Sequence, residues 1–269
     1  MSDQASAPDL IHTRIWHEDA EADNPFATRA AYCHGYDVFG DMLGKARWSD
    51  MLYLMLRGQA PSAAQSQLLE TLAVALANPG PRDPSVHAAM CGGVAGSTAA
   101  ACLIAGLAVG AGGYMGGRDI LLSMLNWSAC GVDLAQWQQQ LAAQPSQEVS
   151  IWPKQEHAPG FDPHGCRTST IVLQTLNCLA ELSPSIHLKW LAVQRSGLEA
   201  ATHCPLAMSG VAAAALHDLG FTPEQGEMLF LLLRLPGAAA HALEQREYGF
   251  RKFPFFTVEL ENDTDTEQQ

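Results

Sequence analysis

Apolar residues recur at intervals of three and four along most of the chain, and runs of alternating β-branched residues are nearly absent. The pattern predicts an all-α protein. Trp48-Ser-Asp-Met-Leu-Tyr-Leu-Met-Leu-Arg57 begins with a serine cap signal, continues as an apolar face and is stopped by Gly58 and Pro61. Pro61-Ser62 opens a second helix with Leu68, Leu69, Leu72, Ala73 and Leu76 at helical spacing, ending near Pro79-Gly80-Pro81, so the two form a hairpin. Residues 88–117 carry no charge and are bracketed by Arg82-Asp83 and Arg118-Asp119. That stretch is long enough for a membrane helix, and Gly106-x-x-x-Gly110 is a close-packing spacing. Glycines at 92, 93, 96, 106, 110, 112, 113, 116 and 117 would interrupt a single span, so the segment reads as helices packed closely in a core.

Residues 120–141 are amphipathic, and 145–163 form a Pro/Gly-bearing break of the kind that separates lobes or lines a cleft. Residues 171–182 and 188–201 read as helices. Thr222-Pro-Glu-Gln225 combines a cap residue, proline at the first position and glutamine at the capping-box position. The helix it opens is expected to kink or break at Pro236-Gly237 before 238–246. Residues 1–20 read as a flexible N-terminal segment and 259–269 as a disordered acidic tail.

Composition narrows the classes of partner. Hydrophobic residues are 48% and charged residues 16% of the chain, a balance that predicts extensive burial, including a subunit interface. Fifteen Lys+Arg against 28 Asp+Glu give a net charge of −13, which disfavours nucleic acid and anionic membranes as partners. An anionic ligand would need a local basic pocket. The seven cysteines are odd in number, scattered and without a Cys-x-x-Cys pair; they read as reduced thiols of a cytoplasmic protein. The N-terminal Met1-Ser-Asp-Gln-Ala-Ser-Ala-Pro lacks the basic and apolar regions of a secretory signal.

Five ordered blocks resemble the citrate synthase/citryl-CoA lyase superfamily, with the shorter citryl-CoA-lyase-like members similar in length. They are Gly35-Tyr36 with residues 41–61; Pro84-Ser-Val-His-Ala-Ala through Gly112-Gly-Tyr-Met-Gly-Gly117; Pro159-Gly-Phe161; Pro205-Leu-Ala-Met-Ser-Gly210 through Leu216-His-Asp-Leu-Gly-Phe-Thr-Pro223; and Arg234-Leu-Pro-Gly-Ala-Ala-Ala-His-Ala-Leu-Glu-Gln245. The resemblance implies a dimeric, two-lobed helical fold. The large lobe would hold residues 21–117 and 209–258, and the small lobe residues 118–208. It also implies a site for an acyl-CoA and a 2-oxo acid or their condensation product.

The family reaction removes a weakly acidic proton beside a thioester, which takes a carboxylate base, a histidine donor to the enolate and a second histidine on the ketone. Where the family reads L-H-G-G, this chain has Tyr114-Met115-Gly116-Gly117, and the Met115 thioether has no proton to donate. Where the family reads P-L-N-V-D-G, Ser209 stands in the base position, and an alcohol holds its proton too tightly to act as a base unaided. At the P-G-F-G-H block the chain continues Asp162-Pro-His-Gly-Cys-Arg167. The matched histidine is absent in either register, with His164 nearby.

Arg234 matches a family arginine that contacts a substrate carboxylate, against the plainer alternative of an ion pair. Arg251-Lys252 lies near a family arginine that reaches the partner subunit's site, and Arg167 is a candidate for a CoA phosphate. His87 and His241 read as core histidines. His157, Asp162, His164 and Cys166 share one loop without zinc spacing, so no metal is expected.

The expected function is a citrate synthase-like protein that has lost its family's Claisen condensation and cleavage activity. It would bind an acyl-CoA or small carboxylate as a regulatory or partner subunit, paired with itself or with an intact homologue. A CoA thioester is the implied ligand, with no covalent cofactor. The alternative is an enzyme using a rearranged site, drawing on His164, Asp162, Tyr114 or Cys166, on a CoA thioester and a 2-oxo acid.

Overall fold

The computed structural model describes residues 11–142, 157–254 and 256–258. The described chain is dominated by helices α1 (Trp48–Arg57), α2 (Ala63–Leu76), α3 (Pro84–Val94), α4 (Ala99–Gly110), α5 (Gly117–Cys130), α6 (Leu134–Ala142), α7 (Thr170–Leu182), α8 (His187–Thr202), α9 (Met208–Asp218) and α10 (Pro223–Tyr248). No helix among the described residues is long and apolar enough to cross a membrane. The expected tail at 259–269 lies outside the described residues, as does most of the 145–163 break.

A small antiparallel sheet adds to the helical pattern, with strands β1 (Trp16–Ala20), β2 (Thr28–Cys33) and β3 (Tyr36–Asp37) in that order. β1 takes up the last five residues of the segment expected to be flexible. It escapes sequence reading because Trp-His-Glu-Asp-Ala is exposed along nearly its whole length and is held by backbone pairing to β2. Only β2 buries alternate side chains, Ala31 and Cys33.

Local signals explain most helix ends. Ser62 and Gln65 bond reciprocally ahead of α2, and Thr222 and Gln225 do the same ahead of α10. Asp83 caps α3, which starts on proline, and Thr98 caps α4. The serine signal for α1 is corrected: Ser49 lies inside the helix, and Asp50 caps it by accepting the Arg47 N–H at 2.9 Å.

The chain divides into two compact units, Met1–Ala75 with Gly113–Phe230, and Leu76–Gly112 with Leu231–Gln269. These boundaries differ from those of the lobes that the resemblance implies. In the second unit, Ala89, Cys102, Ala238 and Ala242 form a core of small side chains, which accounts for the uncharged, glycine-rich stretch as close helix packing. Gly93 is held there because a Cβ would collide with the Ala242 carbonyl. Gly93→Ala is therefore expected to cost about 2 kcal/mol through overpacking, read as a lower urea midpoint with an unchanged slope. α10 continues through Pro236. Proline removes one helical donor and crowds the preceding turn, and the next amide, Gly237 N–H, donates outward to Ala77 O at 2.7 Å.

In the first unit α9 is nearly all apolar, with residues 211–216 fully buried. It packs against α5, while α6 packs against α8. Trp127 sits at the centre, edge-on to Trp137, Trp190 and His187. Tyr53 ties α1 to the end of α9 by donating to Leu219 O at 3.2 Å.

Candidate active site

The Pro159-Gly-Phe161 and Pro205-Gly210 blocks meet through a short antiparallel bridge between Phe161 and Leu206. Asp162 N–H donates to Pro205 O at 2.8 Å, and Ala207 N–H donates to Gly160 O at 3.0 Å. Gly160 has φ +84°, and a Cβ on it would sit 2.9 Å from Gly210 Cα. A Cβ on Gly210 would in turn strike Gly160 O. Two glycines at this crossing let the 157–162 loop lie directly on the first turn of α9, which carries Ser209.

The first turn of α5 arrives at the same place. Met115 has φ +50° just ahead of the Gly116 cap, a left-handed conformation that a bulky non-glycine residue adopts rarely and that clusters at functional sites. Asp119 follows in the first helical turn with its side chain fully buried. Its Oδ1 accepts Gly160 N–H at 3.1 Å and lies 3.8 Å from His157 Nε2, on a ring only 7% exposed. The His157 ring meets Tyr114 edge-on at 6.1 Å, and Tyr114 meets His164 edge-on at 5.5 Å. Tyr114 is 43% exposed and His164 is exposed. A column of side chains thus runs from the surface to the Asp119 carboxyl.

Burial pushes the Asp119 carboxyl up to about 6, and the Ser209 hydroxyl and Gly160 N–H oppose that rise without cancelling it. Ser209 is close enough to ease ionisation, yet Asp119 Oδ2 and Ser209 Oγ are both buried and neither forms a complete hydrogen bond among the described residues. Each oxygen keeps capacity for another partner. A carboxyl titrating near 6 is well placed to accept and return a proton near neutral pH.

The structure therefore brings Ser209 onto the turn that follows Met115, with His164 at the outer rim. Arg167 is exposed on the same loop. Arg234 lies in the other unit, buried, with its guanidinium on the Asp83 carboxylate that also caps α3. Arg251 is exposed beside the Phe250 ring. His87 stacks on Phe253, and His241 faces Glu244 at 3.4 Å. Among the described residues no group of three or more His, Cys, Asp or Glu side chains is arranged to hold a metal ion. A separate cavity of about 470 Å³ opens beside α1, lined by Met42, Arg47, Asp50, Leu54, Pro61 and Gln67 among others. Its polar groups already pair with one another, Arg47 with Gln67 and Asp50 with Ser66.

Asp119 is the residue that sequence reading missed. It marked only the border of an uncharged stretch.

No protein-family model matches the sequence, and no curated protein matches it either. Solved structures do match. Citryl-CoA lyase from Hydrogenobacter thermophilus superposes with a TM-score of 0.69 at 18% identity, over 97% of this chain and 100% of that one. The fold is citrate synthase-like. ATP citrate lyase from Methanothrix soehngenii, solved with citrate and coenzyme A, gives a TM-score of 0.70 at 16% identity over 94% of this chain and 42% of that one. Citrate synthase from the thermophilic archaeon Thermoplasma acidophilum, in a ternary complex with carboxymethyl coenzyme A and oxaloacetate, gives 0.57 at 15% identity over 80% and 57%. Met115 and Ser209, which the sequence resemblance matches to a histidine and an aspartate, lie at the starts of α5 and α9.

Proposed function

We propose that the chain is a citrate synthase-like protein that binds a CoA thioester or small carboxylate and no longer condenses or cleaves it through the three matched positions. It acts in the cytoplasm as a regulatory or partner subunit, dimerising with itself or with an intact homologue. The observation that carries this reading is the convergence of the α5 turn, the 157–162 loop and the α9 turn, with Met115 and Ser209 in place of donor and base. Ligand class is supported by the relatives, which were solved with citrate and coenzyme A, with (3S)-citryl-CoA, or with carboxymethyl coenzyme A and oxaloacetate. Arg167 is the proposed phosphate contact, whereas the Arg234 guanidinium is taken by Asp83.

Each missing acid–base group costs about 10²–10⁴ in rate, so citrate formation from acetyl-CoA and oxaloacetate, and citryl-CoA cleavage, are expected at background. Calorimetric titration with acetyl-CoA should nevertheless saturate. Turnover by the wild type that disappears in Ser209→Ala or His164→Ala would refute the loss of activity. One observation favours the rearranged-site alternative, namely the buried Asp119 carboxyl against Ser209.

A further inference from the structure

We infer that the cavity beside α1 is a second binding site, which takes a small monocarboxylate with an apolar body and holds its carboxylate on Arg47. Its walls come from residues 36–67, all within the first unit. None of them belongs to the meeting point of Met115, the 157–162 loop and Ser209, so the inference goes beyond the function proposed above and does not depend on it. At about 470 Å³ the cavity is within the range of about 300–1,000 Å³ that small-molecule sites occupy. Leu54 is fully buried behind it, Met42 and Pro61 are half-buried along it, and the Tyr36 ring is 44% exposed at its rim. Ala46 and Ala63 line it from exposed positions, where a larger side chain would fill the opening. An apolar body seated there would take this surface out of water.

The polar groups of the cavity set the charge of the ligand, because the two charged side chains in it are unequally satisfied. Both Asp50 oxygens are taken: one accepts the Arg47 backbone N–H at 2.9 Å and the other the Ser66 hydroxyl. The Arg47 guanidinium is not. Among the described residues its one hydrogen bond goes to the neutral Gln67 amide oxygen at 3.4 Å, beyond the usual range for an N–H donor. It pairs with no carboxylate there, whereas Arg29, Arg195 and Arg234 each sit on one. A planar fork of N–H donors matches the two oxygens of a carboxylate, and most of this fork is open at an exposed position on the cavity wall. The rest of the lining limits the ligand to a single charge. A second carboxylate would lie against Leu54, Met42 or Pro61, where nothing replaces its hydration, so di- and tricarboxylates are disfavoured.

The test is calorimetric titration of the full chain with acetate, butyrate, hexanoate and octanoate, with hexanol, hexylamine and citrate as controls. Hexanoate is expected to saturate, and affinity to rise about fourfold for each methylene added until the cavity is full. Hexanol, hexylamine and citrate should each bind about tenfold more weakly than hexanoate, or less. Arg47→Gln should weaken hexanoate about tenfold or more, Arg47→Lys should weaken it less because the charge remains and only the fork is lost, and Ala63→Phe should abolish binding by filling the opening. Both positions are exposed, and unchanged melting temperatures show that the variants fold. No saturation by hexanoate, an affinity that does not change with chain length, hexylamine binding as tightly as hexanoate, or hexanoate binding that survives Arg47→Gln and Ala63→Phe overturns the inference. Acetyl-CoA binding is expected to be unchanged in these variants, so failure of this site and failure of the function proposed above are read separately.

Discussion

Asp119→Asn is expected to raise the melting temperature at pH 8 by roughly 6 °C but by only about 2 °C at pH 4.5. The wild-type carboxyl titrates at about 6 in the folded protein because burial disfavours its charge, whereas in the unfolded chain it titrates at the ordinary value near 4. A group raised by folding contributes its full stability below the unfolded value and loses it as pH rises through the folded value. Between about pH 4 and 6 the wild type therefore gives up about 3 kcal/mol, at about 1.4 kcal/mol for each tenfold change. For a protein of this size that corresponds to about 2 °C per kcal/mol. Asparagine keeps the acceptor for Gly160 N–H, presents an N–H₂ to Ser209 and removes the charge. Differential scanning calorimetry of both proteins at the two pH values decides the matter. An equal shift at both, or a loss at pH 8, would mean that the ionised carboxylate is net favourable in its pocket.

A substitution that raises stability mainly above pH 6 would be the expected mark of a buried charge retained at the expense of the fold. The same logic separates the two readings of the site. If the ionised Asp119 carboxylate were a structural latch between Gly160 and α5, its replacement would cost stability at pH 8. The predicted sign is the reverse.

The helical pattern was legible because its signals are local: the Pro61-Ser62 opening, the Thr222/Gln225 box and the glycine stops lie within a few residues of the ends they define. The citrate synthase-like fold followed from ordered blocks, and the Pro159-Gly-Phe161 and Pro205-Gly210 blocks do converge in space. β1 was invisible because its pairing is backbone to backbone and its side chains face solvent. Asp119 was invisible for a different reason. Its importance depends on total burial and on the approach of Gly160, 41 residues away, and no local pattern encodes either. Arg234 shows the reverse: a motif match singled it out, and the structure gives its charge a partner in Asp83.

Asp218→Ala is expected to destabilise the protein by about 4 kcal/mol, among the largest single-residue losses in the first unit. At the end of α9, the Asp218 carboxylate accepts the Ser183 hydroxyl at 2.7 Å, the His187 and Leu188 backbone N–H groups at 3.0 Å each, and His187 Nδ1 at 2.7 Å. Two of those donors are orphan amides of the first turn of α8, so the side chain caps that helix from a neighbouring one. Alanine leaves them buried or half-buried with no replacement. Burial by itself would raise the Asp218 carboxyl, but the hydrogen bonds from His187, Ser183 and the Leu188 and His187 amides outweigh it and hold it below the ordinary value. A group depressed by folding contributes stability above its unfolded value and loses it as pH falls through the folded one. The wild type should therefore lose this contribution progressively below about pH 4, and Asp218→Ala should show a shallower acid limb. Asp119 slopes the opposite way between pH 4 and 6, so the wild type is expected to be most stable near pH 4–5, with Asp218→Ala moving the maximum lower and Asp119→Asn moving it higher. Urea midpoints from pH 3 to 8 resolve the two contributions, and parallel curves for Asp218→Ala and the wild type below pH 4 would show that the cap does not depend on its charge.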